Sequence, residues 1–181
     1  MLWLYRRKGW TIHGLAPAGP RCIIVGAPHT SNWDFVFFLG VTHQLGIRPR
    51  FMGKDSLFRW PLRRFMFEMG GVPVVRSKSH NYVEQMIAQF AAHDDFMLVV
   101  APEGSRSSSG RWRSGFYHIA MGAGVPIVPA WVDNVRLAGG FGPAMMLTGD
   151  YSKDMQRIAG FFETVMPGHP KLAMMNHDNH A

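Results

Sequence analysis

The side chains best suited to chemistry in this chain are His29 and Asp34, set five residues apart within GAPHTSNWDF at residues 26–35. The apolar run at residues 22–25 comes just before them, so the histidine is expected at the exit of a strand and the aspartate where a helix begins. An imidazole beside a carboxylate can take a proton from a hydroxyl, because the carboxylate fixes the tautomer and favours the imidazolium. Asp34 also stands three residues after Ser31 and can complete a capping box; the two roles can coexist. A lone histidine is more often structural, and this chain has nine. Its place after a strand is what favours chemistry.

The elements that must hold this pair follow from periodicity. Residues 22–25 and 96–100 are continuous apolar runs closed by glycine or proline, which suits buried strands of a parallel sheet. Residues 72–75 and 125–132 also read as strands, with Pro73, Pro126 and Pro129 making them edge-like or interrupted. Residues 35–41 are apolar nearly all round, as in a buried helix. Asn81 with Glu84 looks like a capping box opening a helix whose Val83, Met86, Ile87 and Phe90 share one face. Helices are also expected over residues 113–122, stopped by glycine, and 152–165, where Met155, Ile158, Phe162 and Val165 are spaced for burial. The alternation predicts an α/β fold over residues 1–181 as a single domain, with a largely parallel or mixed central sheet flanked by helices.

In such sheets ligands bind at the carboxyl ends of the strands. His29, Arg76 and the segment Glu103, Gly104, Ser105, Arg106 each follow an expected strand, so three polar clusters should converge although none is adjacent to another in sequence. Arg76 could instead be a solvated strand-end charge, and the segment a polar turn.

Composition bounds the partners. A chain of 181 residues with 47% apolar content supports one sizeable core. A formal charge of +7 favours phosphate-bearing partners, whether nucleic acid, anionic lipid or a phosphorylated small molecule. The single cysteine, Cys22, forbids a disulfide framework and points to a reducing compartment. No signal peptide or membrane-spanning run is apparent. The tail at about 168–181, with His169, His177 and His180, lacks metal-site spacing and is expected to be disordered. Neither G-x-S-x-G nor a P-loop occurs.

Two segments mix aromatic and basic residues. Residues 57–67, LFRWPLRRFMF, read as a membrane-contact or acyl-chain access element, the competing reading being a helix whose apolar face joins the core. Trp3, Tyr5, Arg6, Arg7, Lys8 and Trp10 could form a second interfacial patch.

The ordered set of His29 and Asp34 in H-x-x-x-x-D, GVPVVR at residues 71–76, EGSRS at 103–107 and VPIVPA at 125–130 resembles the four blocks of the glycerolipid acyltransferases, of the 1-acyl-sn-glycerol-3-phosphate acyltransferase type. The similarity covers about residues 22–133. Pro73 with the Gly70-Gly71 pair, and Ser105 where threonine is frequent, depart from the family pattern without removing a functional group. The resemblance implies a glycerol-3-phosphate acyltransferase-like fold. It also implies transfer of a fatty acyl group from acyl-CoA or acyl-carrier protein to the hydroxyl of a lysophospholipid, giving phosphatidic acid from 1-acyl-sn-glycerol-3-phosphate. His29 would be the general base and Asp34 its orienter; Arg76, Glu103, Gly104, Ser105 and Arg106 would bind the acceptor's phosphate. No resident cofactor, metal or nucleic acid is implied, and the expected location is peripheral, on the cytoplasmic face of a membrane. The alternatives are a nucleic-acid-binding module and an inactive homologue that only docks on membranes.

Overall fold

The computed structural model describes residues 2–17, 19–29, 31, 33–74, 81–103 and 112–170. The chain opens with α1 (Leu2–Lys8) and a short strand, β1 (Thr11–His13), and then enters β2 (Arg21–Gly26). The middle side chains of β2 are all buried: Ile23 and Val25 in one hydrophobic cluster, Cys22 and Ile24 in another. Successive side chains point to opposite faces of a strand, so this unbroken apolar run demands cover on both sides.

Cover on one side comes from α2 (Trp33–Leu45), whose Val36, Phe37 and Val41 pack with Cys22 and Ile24. The chain then passes through β3 (Arg50–Lys54), a 3-10 turn (Asp55–Phe58), α3 (Arg63–Glu68), β4 (Gly71–Val74) and α4 (Asn81–Ala92). It continues with β5 (Phe96–Val100), α5 (Gly115–Ala123), β6 (Ile127–Asp133), β7 (Ala138–Phe141) and α6 (Tyr151–Val165). Met86 and Phe90 of α4, Phe116 and Ile119 of α5, and Ile158 and Phe162 of α6 cover the Ile23 and Val25 face.

The strand order is β1-β7-β6-β2-β5-β3-β4. Strands β6, β2, β5, β3 and β4 run parallel. β7 is antiparallel to β6, and β1 pairs in parallel with β7. The sheet is therefore mixed and largely parallel, and its five parallel strands deliver their carboxyl ends to one edge.

Several expectations meet the structure with corrections. β4 is the terminal strand and its Pro73 is exposed, as a proline in a strand predicts. β6 is not edge-like: it begins at Ile127 and lies between β7 and β2 in spite of Pro126 and Pro129. Pro126 precedes the strand, and its carbonyl accepts the Ile23 N–H. Pro129 sits one residue beyond the last β6–β7 pair, Ala130 with Phe141, so its missing donor falls at the end of that ladder. α5 retains Gly122 and stops at Gly124, which takes the left-handed conformation at φ 63°. That conformation favours glycine because it has no Cβ to clash.

The amino-terminal segment is not the uniformly exposed patch that was expected. Tyr5 and Trp10 are core residues packed on Phe37, and Lys8 Nζ lies 4.1 Å from the centroid of the Trp33 ring. A Cβ at Gly40 would lie 2.2 Å from the Tyr5 ring, so α1 comes close to α2 where only glycine leaves room for that ring. Trp3 alone of the three aromatics is exposed. The expected helix at residue 81 is α4, although the Asn81 side chain lies outside the described residues, as do residues 171–181 of the tail.

Candidate active site

β2 ends at Gly26, and the chain turns through Ala27 and Pro28 to His29, while α2 carries Asp34 in its first turn. His29 Nδ1 lies 3.0 Å from Asp34 Oδ2. The same Oδ2 accepts the Ser31 N–H at 2.9 Å, and Ser31 Oγ accepts the Trp33 N–H at 3.1 Å. Asp34 therefore completes the capping box and orients the imidazole at once. A helix N-terminus also favours a negative charge there. Because a carboxylate only accepts, Nδ1 carries the hydrogen and Nε2 is left as the basic nitrogen.

Two more strand ends brace this turn. Glu103, beyond the end of β5, is buried, and its Oε1 accepts the His29 backbone N–H at 3.0 Å. β2 and β5 are neighbours in the sheet, so this contact follows from their pairing. The sequence groups Glu103 with the headgroup-binding residues; in the structure its Oε1 meets the His29 backbone. Asn134, just after β6, donates its side-chain amide to Asp34 Oδ1. Sequence reasoning missed Asn134, because an asparagine in DNVR ordinarily signals a turn. Its position at a strand exit on the active edge was the available clue.

Arg76, Gly104, Ser105 and Arg106 lie outside the described residues. The described residues leading to them, Val74 at the carboxyl end of β4 and Glu103 beyond that of β5, stand on the edge that bears His29. Two of the three expected clusters thus meet directly, through Glu103 and His29.

A cavity of about 710 Å³ opens on His29 and Asp34, within the range of about 300–1,000 Å³ usual for small-molecule sites. Phe37 and Val41 line it from the α2 side of the sheet, Tyr82 and Phe116 from the other, and Trp131 from β6. Arg113, read from sequence only as a helix start, also lines it. Burial holds the Tyr82 hydroxyl above its ordinary pKa, and the Arg113 charge pulls it the other way. Cys22 is buried with its thiol pushed up to about 12, so it stays protonated and cannot serve as a nucleophile. Among the described residues no cluster of His, Cys, Asp and Glu suited to a metal ion occurs, and no helix is long and apolar enough to cross a membrane.

The chain is 31% identical over 117 residues to a 1-acyl-sn-glycerol-3-phosphate acyltransferase of Haemophilus influenzae, covering 60% of this chain and 46% of that protein. It is 28% identical over 150 residues to the enzyme of the same name from Salmonella typhimurium, covering 72% and 59%. The chain thus spans about half the length of the curated relatives it matches. Its fold is similar to the crystal structure of the 1-acyl-sn-glycerophosphate (LPA) acyltransferase PlsC from Thermotoga maritima. There the TM-score is 0.55 at 21% identity, covering 92% of this chain and 76% of that one. The Acyltransferase family profile matches residues 10–133, from before β1 to the end of β6, and with both His29 and Asp34 inside that span the chain belongs to the Acyltransferase family.

Proposed function

We propose that this protein transfers a fatty acyl group from an acyl thioester, acyl-CoA or acyl-carrier protein, to the free hydroxyl of a lysophospholipid. The names of its relatives point to 1-acyl-sn-glycerol-3-phosphate as acceptor and phosphatidic acid as product. The observation that carries the reading is the 3.0 Å contact between His29 and Asp34 at the mouth of a mostly apolar cavity.

His29 Nε2 takes the proton of the acceptor hydroxyl as its oxygen attacks the thioester carbonyl. Asp34 stabilises the resulting imidazolium, which then returns the proton to the leaving thiolate. A thiol has a pKa of about 8.5 and leaves readily, whereas an alcohol is a weak nucleophile until deprotonated. A single base therefore matters more than a covalent nucleophile. Arg76 and Arg106 hold the acceptor's phosphate through planar, multidentate donors, and Arg113 adds a cation on the cavity wall. Glu103 holds the His29 turn. The bulk substrate is a bilayer lipid, so the protein works peripherally, at the cytoplasmic face of the membrane.

The test is to incubate the protein with one labelled acyl thioester and a panel of lysolipids and to read products by mass. Phosphatidic acid should dominate, and His29→Ala should reduce the rate by at least about a hundredfold. A His29→Ala protein of undiminished activity would overturn the assignment. Vesicle binding with no turnover of any acceptor would favour an inactive docking homologue.

A further inference from the structure

The segment between β3 and β4 contributes nothing to the core after Phe58. α3 contains no buried residue. Among the described residues, nine large hydrophobic side chains are exposed, and four of them, Trp60 (92%), Leu62, Phe65 and Phe67, fall within eight positions. Isolated exposed hydrophobics are ordinary, but a cluster marks a contact surface. The reading in which this segment buries an apolar face in the core holds for Phe58 and not for α3.

The patch is fixed to the fold. Phe58 is buried; a Cβ at Gly53 of β3 or Gly71 of β4 would lie 2.9 or 2.8 Å from its ring, so the ring rests on both strands. Phe67 packs against Phe58 with ring centroids 5.0 Å apart. The 3-10 turn leaves β3 at Lys54, on the sheet edge where His29 and Asp34 stand, and α3 returns the chain to the opposite edge, where β4 begins at Gly71.

Charge selects the occupant. Arg59 pairs with Asp55 and Arg64 with Glu68, while Arg63 is exposed and has no acidic partner among the described residues. Four partly exposed side chains offer on the order of 400–500 Å² of apolar area, short of the roughly 800 Å² per partner of a stable protein interface. A symmetric pair of copies would also bring these arginines together. Aromatic side chains at the headgroup level with arginines reaching phosphates match an anionic bilayer surface instead.

We infer that residues 59–67 dock this protein on anionic lipid bilayers through Trp60, Leu62, Phe65, Phe67 and Arg63. This rests on the reading that the acceptor is a bilayer lipid, and it can fail separately, because vesicle binding requires no turnover.

The experiment is co-sedimentation of the full chain with vesicles of phosphatidylcholine alone or with about one-third phosphatidylglycerol. Wild-type protein should bind the anionic vesicles, and Trp60→Ser/Phe65→Ser/Phe67→Ser should bind at least about tenfold more weakly. Arg63→Gln should weaken anionic binding by about fivefold. Trp60→Ser alone, at a position almost wholly in solvent, tests the surface without disturbing packing and should also weaken binding. Turnover of a short-chain, water-soluble acceptor should be unchanged in all three. Wild-type protein that ignores anionic vesicles would overturn the inference, as would a triple variant that binds them as tightly as wild type. So would a wild-type dimer that the triple variant converts to monomer, or full displacement from vesicles by an oligonucleotide.

Discussion

Asn134 and Asp34, separated by 100 residues, are joined by a hydrogen bond from the asparagine amide to Oδ1 of the carboxylate whose other oxygen faces His29. The carboxyl ends of β6 and β2 adjoin in the sheet, so the contact spans one strand spacing. Asp34 is thereby held from three directions: the Ser31 N–H, the His29 ring and Asn134.

Removing that restraint should affect the chemical step more than binding. Asn134→Ala is expected to lower kcat by about ten- to a hundredfold, the scale of a misplaced catalytic group, with acceptor KM little changed. Steady-state kinetics with acceptor and donor varied separately provide the check. A change confined to KM would mean that Asn134 contacts substrate instead of positioning Asp34.

Headgroup binding should depend on the arginines. Arg106→Ala, and more weakly Arg76→Ala, are expected to raise the acceptor KM by roughly ten- to a hundredfold, since a charge-assisted contact is worth about 1.5–3 kcal/mol. Arg113→Ala should act in the same direction because it shares the cavity with His29. Loss on the donor side only would place the phosphate of the thioester, not of the acceptor, against these groups.

Acid should expose a structural carboxylate. Asp154 is buried at the start of α6 and accepts the Tyr117 hydroxyl, the Thr148 N–H and hydroxyl, and the Gly149 N–H. Burial alone would raise its pKa, but these donors outweigh it and hold the group below its ordinary value. For the same pairing, after burial itself, the Tyr117 hydroxyl is pushed up to about 12. A carboxylate with a lower pKa folded than unfolded adds stability that is fully present above the unfolded value, about 3.9, and is lost as pH falls through the folded value. The melting temperature should therefore drop below about pH 4. Asp154→Ala should cost about 2–3 kcal/mol at pH 7 by stranding buried donors, and should flatten that acid limb. Thermal melts across pH decide it; an identical acid slope in the variant would assign the loss to other groups.

What the sequence by itself determined was local. The strand at residues 22–25, the capping box at Ser31 and the His29–Asp34 pair arise from neighbours within a turn or two, and periodicity revealed α4 and α6 for the same reason. Short polar or glycine-bearing strands escaped it: β1 has three residues, β7 reads AGGF and β3 ends in Gly53 and Lys54, so none shows a clear period of two. The tertiary structure alone decided that Asn134 reaches Asp34, that Glu103 braces His29, and that β6 is internal despite Pro129. It alone also buried Tyr5 and Trp10 while leaving Trp60, Phe65 and Phe67 in solvent. Both groups mix aromatic and basic residues in sequence. What separates them is how far a neighbouring element takes them in: α2 admits Tyr5 at Gly40, whereas α3 contains no buried residue.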